Sequence, residues 1–395
     1  MSRDIEVGVP KDRGELEGWA RAAAEAFPMP PAREGFEWLE RYDPADIRVV
    51  RVGGQVAGGA GFLPLGQYFG GRPVPMVGVH AVCILPEHRG TSAGSVLMKT
   101  AVAEMAANRV PLSTLYPATL PIYRRVGFES AGTQIYYSMP IAAIDCKDRQ
   151  LEVERVGKDR VAELAEVHAQ VVRHRAGNLE RTPFIWRRIL DPIKGEGTCL
   201  RVHRGGRTEG YVVFSGNWKS GRMKLDLTIR DFVALSPDAA RRLWALIGDH
   251  RSIGGDVTFP DAPGAPSLRV LRDPVHSVDR THTWMLRIID VETALAARGY
   301  PAGLTTTLDL DIDDDLLPGN RGRFRLAVAG GSGRVERGEG QGSLRIDVRG
   351  LASLYSGYLP AQELRLHGLA DGDADTLARA SALFAGPAPW LVEMF

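Results

Sequence analysis

Apolar and polar positions along the chain recur with two periods, and their order predicts alternating helices and strands. Apolar residues at helical spacing from Glu15 to Phe27 predict an amphipathic helix, stopped by Pro28-Met29-Pro30-Pro31. Ile47 to Val52 and Gln55 to Ala60 flank Gly53-Gly54, a hairpin signature. Pro73 to Val79 leads into an apolar strand that ends at Pro86. After a Gly/Ser/Thr-rich loop, Val96, Leu97, Ala101, Val102 and Met105 recur at helical spacing and give that helix one buried face.

A second segment, over residues 146–290, has its own alternation. Arg160 to His168 and Ala239 to Ile247 are helical by period, and Thr198 to His203, Gly210 to Phe214 and Met223 to Ile229 predict strands. The general order repeats that of the first 145 residues, without the loop that follows the strand ending at Pro86. A third segment, 291–395, changes character. Thr305 to Asp313 alternates apolar and acidic residues at period two, so one face is buried and the other solvated. Phe324 to Val328 and Ser343 to Val348 add strands, and Asp373 to Phe384 predicts a capped helix. The tail from Gly386 to Phe395 is apolar, which predicts that it packs inside rather than fraying.

Length changes this picture little: 395 residues suffice for two or three domains. With 44% hydrophobic and 25% charged residues, the chain can bury a real core. A formal net charge of +1 leaves no whole-chain footprint for nucleic acid or an anionic membrane, and neither is expected as a partner. No uninterrupted apolar run approaches membrane-spanning length. The N-terminal residues are polar and lack a signal core, so a cytoplasmic protein is expected. Cys83, Cys146 and Cys199 are widely spaced, with neither a Cys-x-x-Cys pair nor a metal-ligand spacing. No metal site is expected.

The chemistry concentrates between Val79 and Phe128. An apolar strand, Val79-His80-Ala81-Val82-Cys83-Ile84-Leu85, meets Pro86 and enters the loop Arg89-Gly90-Thr91-Ser92-Ala93-Gly94-Ser95, which feeds a helix. Such a loop presents consecutive backbone N–H groups at a positive helix end, a site for phosphates. Ile122-Tyr123-Arg124-Arg125-Val126-Gly127-Phe128 follows. The order strand, Pro-x-x-Arg-Gly-x-x-x-Gly, helix and Tyr-x-x-x-Gly-Phe resembles the GNAT acetyl-CoA-dependent N-acetyltransferases. With the order of the three segments and the terminal Phe395, the chain resembles the enhanced intracellular survival (Eis) family.

The resemblance implies an α/β and α+β chain: a GNAT domain with a cofactor site over 1–145, a degenerate GNAT-like domain over 146–290, and a sterol-carrier-like α+β domain over 291–395. It implies acetyl transfer from acetyl-CoA to an aminoglycoside, polyamine or lysine-type amine by direct attack in a ternary complex, and a homo-oligomer, a hexamer in that family. Val82, Cys83 and Ile84 would pair with the pantetheine arm, and Arg89, Gly90, Thr91, Ser92, Ala93, Gly94 and Ser95 would hold the pyrophosphate. Ser92 stands where the family's pattern has its first glycine. A left-handed backbone there costs a non-glycine residue energy. Gly90 and Thr91 stand where further arginines are usual, which removes phosphate contacts.

By the same resemblance Tyr123 protonates the departing thiolate. The bland alternative makes Tyr123 a packing aromatic on a helix with Gly127 as its C-cap; both can hold. The α-carboxylate of Phe395 resembles the family's general base, provided burial raises its pKa; otherwise the chain end merely packs. Phe36, Glu37 and Trp38, with Asp43, follow the first helix where family members place substrate-facing groups, although packing explains Trp38 as well. Cys83 beside the thioester position admits an acetyl-cysteine route, but no base partner is evident and buried packing is favoured. His80 and His88 receive no chemical role, and the acidic run Asp311 to Asp315 reads as a solvated strand face ending in a turn. Two competing readings remain: the same fold with another acyl donor, and a non-catalytic lipid- or small-ligand-binding protein with a defunct loop.

Overall fold

The Gly53-Gly54 turn has φ of 60° and 81°, the left-handed backbone that a tight hairpin needs and glycine adopts without cost. It joins β2 (Ile47–Val52) to β3 (Gln55–Phe69), a longer strand than the alternation predicted. The computed structural model describes residues 4–27, 36–191, 197–218, 224–338 and 342–395. Among these residues thirteen strands form one mixed sheet and five form a second.

The first half of the large sheet runs β1 (Ile5–Gly8), β2, β3, β4 (Arg72–Ile84) and β5 (Leu112–Leu115). Helix α1 (Arg13–Ala26) starts where Asp12 accepts from the Glu15 amide, and it buries Leu16, Trp19, Ala20 and Ala23. Helix α2 (Ala93–Ala107) links β4 to β5 and buries Leu97, Met98, Ala101, Val102 and Met105. The short helix α3 (Leu120–Arg124) precedes β6 (Glu129–Pro140).

The second half repeats the plan. In chain order it holds β7 (Glu152–Arg155), α4 (Val161–Val172), β8 (Leu179–Glu180), α5 (Pro183–Leu190), β9 (Thr198–Arg204), β10 (Arg207–Trp218), β11 (Leu225–Ala234), α6 (Pro237–Gly248), β12 (Gly254–Asp261) and β13 (Ser277–Ile288). The parallel pair β11–β12, linked by α6, is the counterpart of the parallel pair β4–β5, linked by α2. The two halves exchange their last strands. β13 pairs with β5 and β6, whereas β6 pairs with β12, so the sheet continues without a break past residue 145. One apolar core then spans the junction, with Leu63, Leu112, Trp186, Tyr211, Trp284 and Phe395 in one cluster.

The third segment opens with α7 (Val291–Ala297) and builds the second sheet in the order β16 (Ser332–Arg337), β15 (Gly322–Ala329), β14 (Thr306–Asp313), β17 (Leu344–Asp347), β18 (Ala370–Asp371). Leu308, Leu310 and Ile312 of β14 are buried while Asp309, Asp311 and Asp313 are not, as the alternation predicts. Asp314 departs from that reading. Its carboxylate is buried, accepts two hydrogen bonds from Arg287 of β13 at 2.8 and 2.7 Å, and caps the Leu316 and Leu317 amides. Helices α8 (Val348–Ser356), α9 (Ala361–Leu366) and α10 (Ala374–Phe384) cover this sheet. Asp373 caps α10 through the Thr376 amide.

From Ala385 the chain leaves the third domain and runs back over the large sheet. The Leu391 amide donates to Thr133 O of β6 and the Trp390 amide to Ala176 O. Gln134 donates to Val392 O at 2.6 Å and Tyr116 to Glu393 O at 2.9 Å. Trp390, Leu391, Val392 and Phe395 are buried. The chain end therefore lies in the sheet of the first domain.

Candidate active site

β4 and β5 pair in parallel from Met76–Leu112 to Val79–Leu115, and there β5 stops. β4 continues to Ile84, held on its other edge by β3. Past Val79 no strand among the described residues pairs with this edge of β4, which runs from His80 to Ile84. A bulge at the start of this stretch puts Ala81 at φ 48° and gives its carbonyl to the Trp19 indole at 3.4 Å. Val82 and Ile84 pack toward α2, and Cys83 packs against α1 on the opposite face.

The loop turns tightly into α2. The Arg89 amide donates to Pro86 O, the Thr91 amide to His88 O, and Thr91 Oγ1 to His88 O at 2.6 Å. Gly90 has φ 78° and Ser92, the N-cap residue, has φ 69°. The left-handed backbone expected to be costly at Ser92 is therefore present, at roughly 1–2 kcal/mol for a residue with a Cβ. No side chain among the described residues caps α2. The amides of Ala93, Gly94 and Ser95 fall in the first helical turn, where a helix has no internal acceptors. Gly94 faces Ile84 and Ile122, where a Cβ would make ordinary contacts at 3.5 and 3.4 Å. Arg89 is exposed and folds its Nε onto Ile84 O at 3.2 Å, at the mouth of the loop. The equivalent helix of the second half, α6, is closed: Ser236 accepts from the Ala239 amide. One helix end is open to an anion and its counterpart is sealed.

Tyr123 of α3 is buried against Phe128, with ring centroids 6.3 Å apart. Gly127, at φ 86°, ends this helix, and the Phe128 amide returns to Tyr123 O at 3.1 Å, a left-handed C-terminal cap. Burial pushes the Tyr123 phenol up to about 12, and the Cys83 thiol adds to that. The phenol is protonated at neutral pH and remains able to donate. The Cys83 thiol donates to Gly59 O at 3.7 Å and is pushed by burial to about 12, so it carries no thiolate at neutral pH. Arg124 pairs with Glu129 at 2.7 Å.

The Phe395 ring lies over Gly78 of β4 and edge-on to Tyr116, 6.0 Å between centroids. The tail is tied in place by residues that no local pattern singled out. Arg181, on the link between β8 and α5, bridges the buried carboxylates of Asp231 and Glu393 and lies 4.8 Å over the Trp186 ring. Arg188 of α5 donates to Met394 O at 3.0 Å. The only cue was their chemistry, basic residues in the second domain with no assigned partner.

His80 sits two residues beyond Gly78 on β4. Its imidazole is buried over Gly61, stacks on Tyr42 at 5.1 Å and meets Trp19 edge-on at 6.1 Å. Burial, with the Arg188 charge, pulls it down to about 3, so the ring is neutral. Phe36 adopts a left-handed backbone at φ 54° and packs at the edge of the α1 cluster. Glu37 and Trp38 begin a short 3-10 turn, Glu37–Arg41; their side chains lie outside the described residues. Asp43 accepts from the Ala45 amide, a local cap. Among the described residues no cluster of His, Cys, Asp or Glu could hold a metal, and no helix is long and apolar enough to cross a membrane.

Residues 10–131 and 177–288 match models of the GNAT acetyltransferase domain, and 291–392 a model of the sterol carrier protein domain. A crystal structure of a GCN5-related N-acetyltransferase from Anabaena variabilis is 31% identical, covers 99% of this chain and 100% of its own, and superposes with a TM-score of 0.94. The chain belongs to the GCN5-related N-acetyltransferases. An uncharacterized N-acetyltransferase of Streptomyces griseus is 28% identical over the full length of both chains. Eis1 from Mycobacterium abscessus, 22% identical, shares the fold over 99% of this chain and 100% of its own, with a TM-score of 0.81. This acetyltransferase is therefore an enzyme with two GNAT domains and a sterol-carrier-like domain, in the order the sequence predicts.

Proposed function

We propose that this acetyltransferase is of Eis type and moves the acetyl group of acetyl-CoA to a primary amine by direct attack within one ternary complex. The acceptor is a small amine of aminoglycoside or polyamine type, or a lysine side chain. One observation carries the reading: the open end of α2, the free edge of β4 and the buried chain end meet along a single strand, from Gly78 to Ile84 and into the loop. The amides of Ala93, Gly94 and Ser95, with Arg89, suit a pyrophosphate. The edge at Val82, Cys83 and Ile84 suits the amide-bearing pantetheine arm, as in strand addition.

In the reaction the amine nitrogen forms a bond to the acetyl carbon and the carbon–sulfur bond breaks. The ammonium must first lose a proton, and the departing thiolate must gain one. Tyr123 is the donor, since its phenol stays protonated until a strong base forms beside it. The α-carboxylate of Phe395 is the acceptor. Its intrinsic pKa, about 3.5, is too low for a base in water, so the role requires a dehydrated setting for the carboxylate; what supports it is the seat of the Phe395 ring, against Gly78 and edge-on to Tyr116. By the family resemblance, Phe36, Glu37 and Trp38 are assigned to the side that receives the amine. The neutral Cys83 thiol argues against a route through an acetyl-cysteine. The family resemblance further implies a homohexamer, which sedimentation against the 43.0 kDa chain mass checks directly.

The test is thiol release from acetyl-CoA with a panel of aminoglycosides, polyamines and lysine peptides. Amine-dependent release with at least one class is expected. Saturable acetyl-CoA binding without release for any amine would overturn the acceptor assignment, and absence of binding would overturn the cofactor loop.

A further inference from the structure

Arg298 follows α7 and is 3% exposed, yet its guanidinium meets no carboxylate among the described residues. It donates to Gly299 O at 3.0 Å and to Tyr355 O, the latter at the C-terminal end of α8. The rings of Tyr300, Tyr355 and Phe384 surround it at 4.9, 4.9 and 4.7 Å. Carbonyls and ring faces offset part of the cost of burying a cation, but neither neutralises it. A buried charge is ordinarily paired.

Arg298 lines a cavity of about 480 Å³ where the three domains meet. Its wall comes from the β3–β4 turn at Gly70-Gly71, from Arg173, His174 and Arg175 after α4, and from Tyr300, Phe384 and the start of the tail. No carboxylate is among the lining residues described. Arg173 gives its Nε to Ala169 O, and Arg175 lies 5.0 Å over the Trp390 ring. The carboxylates that act on Arg175 from a distance are committed elsewhere, Asp231 to Arg181 and Asp261 to the Ala262 and Ser267 amides. A neighbouring cavity of about 600 Å³ shares Arg173, His174 and Arg175, adds Arg207, and again has no carboxylate in its described lining. Positive potential is thus concentrated in a concave site with one apolar wall.

We propose that this cavity binds a phosphate monoester: a dianionic phosphoryl group held by Arg298, Arg173 and Arg175, with a small apolar or aromatic substituent against Phe69, Tyr300 and Phe384. Guanidinium forks match phosphate oxygens better than a point charge does, and several cations around one group favour a dianion over a carboxylate. The cavity's lining shares no residue with the α2 loop.

Calorimetry at low salt with phenyl phosphate tests this, on the whole protein saturated with CoA so that the α2 loop is not counted. Saturable binding tighter than about 1 mM is expected. Arg173→Glu, an exposed position, should weaken it by roughly tenfold or more, and Arg298→Lys, which keeps the charge but loses the fork, should do the same. Should Arg298→Lys fail to fold, Arg173→Glu decides alone. Absence of saturable heat with the native protein, or an unchanged affinity in the folded variants, would overturn the site and leave Arg298 as a helix-end cation only.

Discussion

The Phe395 ring lies so close to the α-carbon of Gly78 that a methyl group there would stand 2.8 Å from ring carbon Cε2. The last residue of the third domain is thus seated on the strand that leads to the cofactor loop of the first. Gly78→Ala should displace the ring or the strand, at a cost of roughly 1–3 kcal/mol for overpacking. Turnover should fall at least as strongly as stability, with acetyl-CoA affinity less affected, because the loop lies beyond Ile84. Equal kcat in native and variant proteins would detach the chain end from the chemistry.

Tyr123→Phe keeps the ring against Phe128 and removes the hydroxyl. Turnover should drop by roughly 10²–10⁴-fold with acetyl-CoA affinity retained. A near-normal kcat would mean that water or the acceptor itself protonates the thiolate.

Ser92 holds a left-handed backbone at an uncapped helix end. Ser92→Gly relieves that strain, less the entropy glycine loses on folding, for a net gain of about 0.5–1 kcal/mol. Urea unfolding measures it. A destabilised Ser92→Gly variant would show that the serine side chain does something at the loop beyond supplying its amide.

His80 makes stability depend on acid. The unfolded residue takes up a proton near the ordinary imidazole value of 6.5, whereas the buried ring does so only near 3. Its contribution is therefore complete above pH 6.5 and is lost as pH falls toward 3, at up to about 1.4 kcal/mol per pH unit. His80→Phe, which keeps an aromatic ring beside Tyr42, should flatten the slope by one proton's worth, while buried His168 keeps its own contribution. An unchanged slope in unfolding curves would place the titration elsewhere.

The strand–loop–helix around Arg89 was legible because its signals are local: an apolar run, a proline, glycines and then a helical period. So were the Gly53-Gly54 hairpin, the alternation of β14 and the cap at Asp373. What escaped was set by partners far away in the chain. The placement of β13 between β5 and β6 depends on pairing across more than a hundred residues, which leaves no period in the sequence. Asp314 sat in an acidic run that reads as solvated, and only the arrival of Arg287 buries it. Arg181 has no local pattern to mark it as buried, because its partners Asp231 and Glu393 lie far along the chain. His80 carried no motif, and its neutral state follows from Tyr42, Trp19 and Arg188 converging on it.

The central claim is that the α-carboxylate of Phe395 takes the proton from the acceptor amine. Adding one or two glycines after Phe395 moves that carboxylate away and leaves the ring, the cofactor loop and Tyr123 in place. The measurement is thiol release from acetyl-CoA by the native and extended proteins at saturating amine, beside their acetyl-CoA affinities. The account predicts turnover lowered by roughly 10²-fold or more in the extended protein, with affinity unchanged. Full turnover by the extended protein would contradict it.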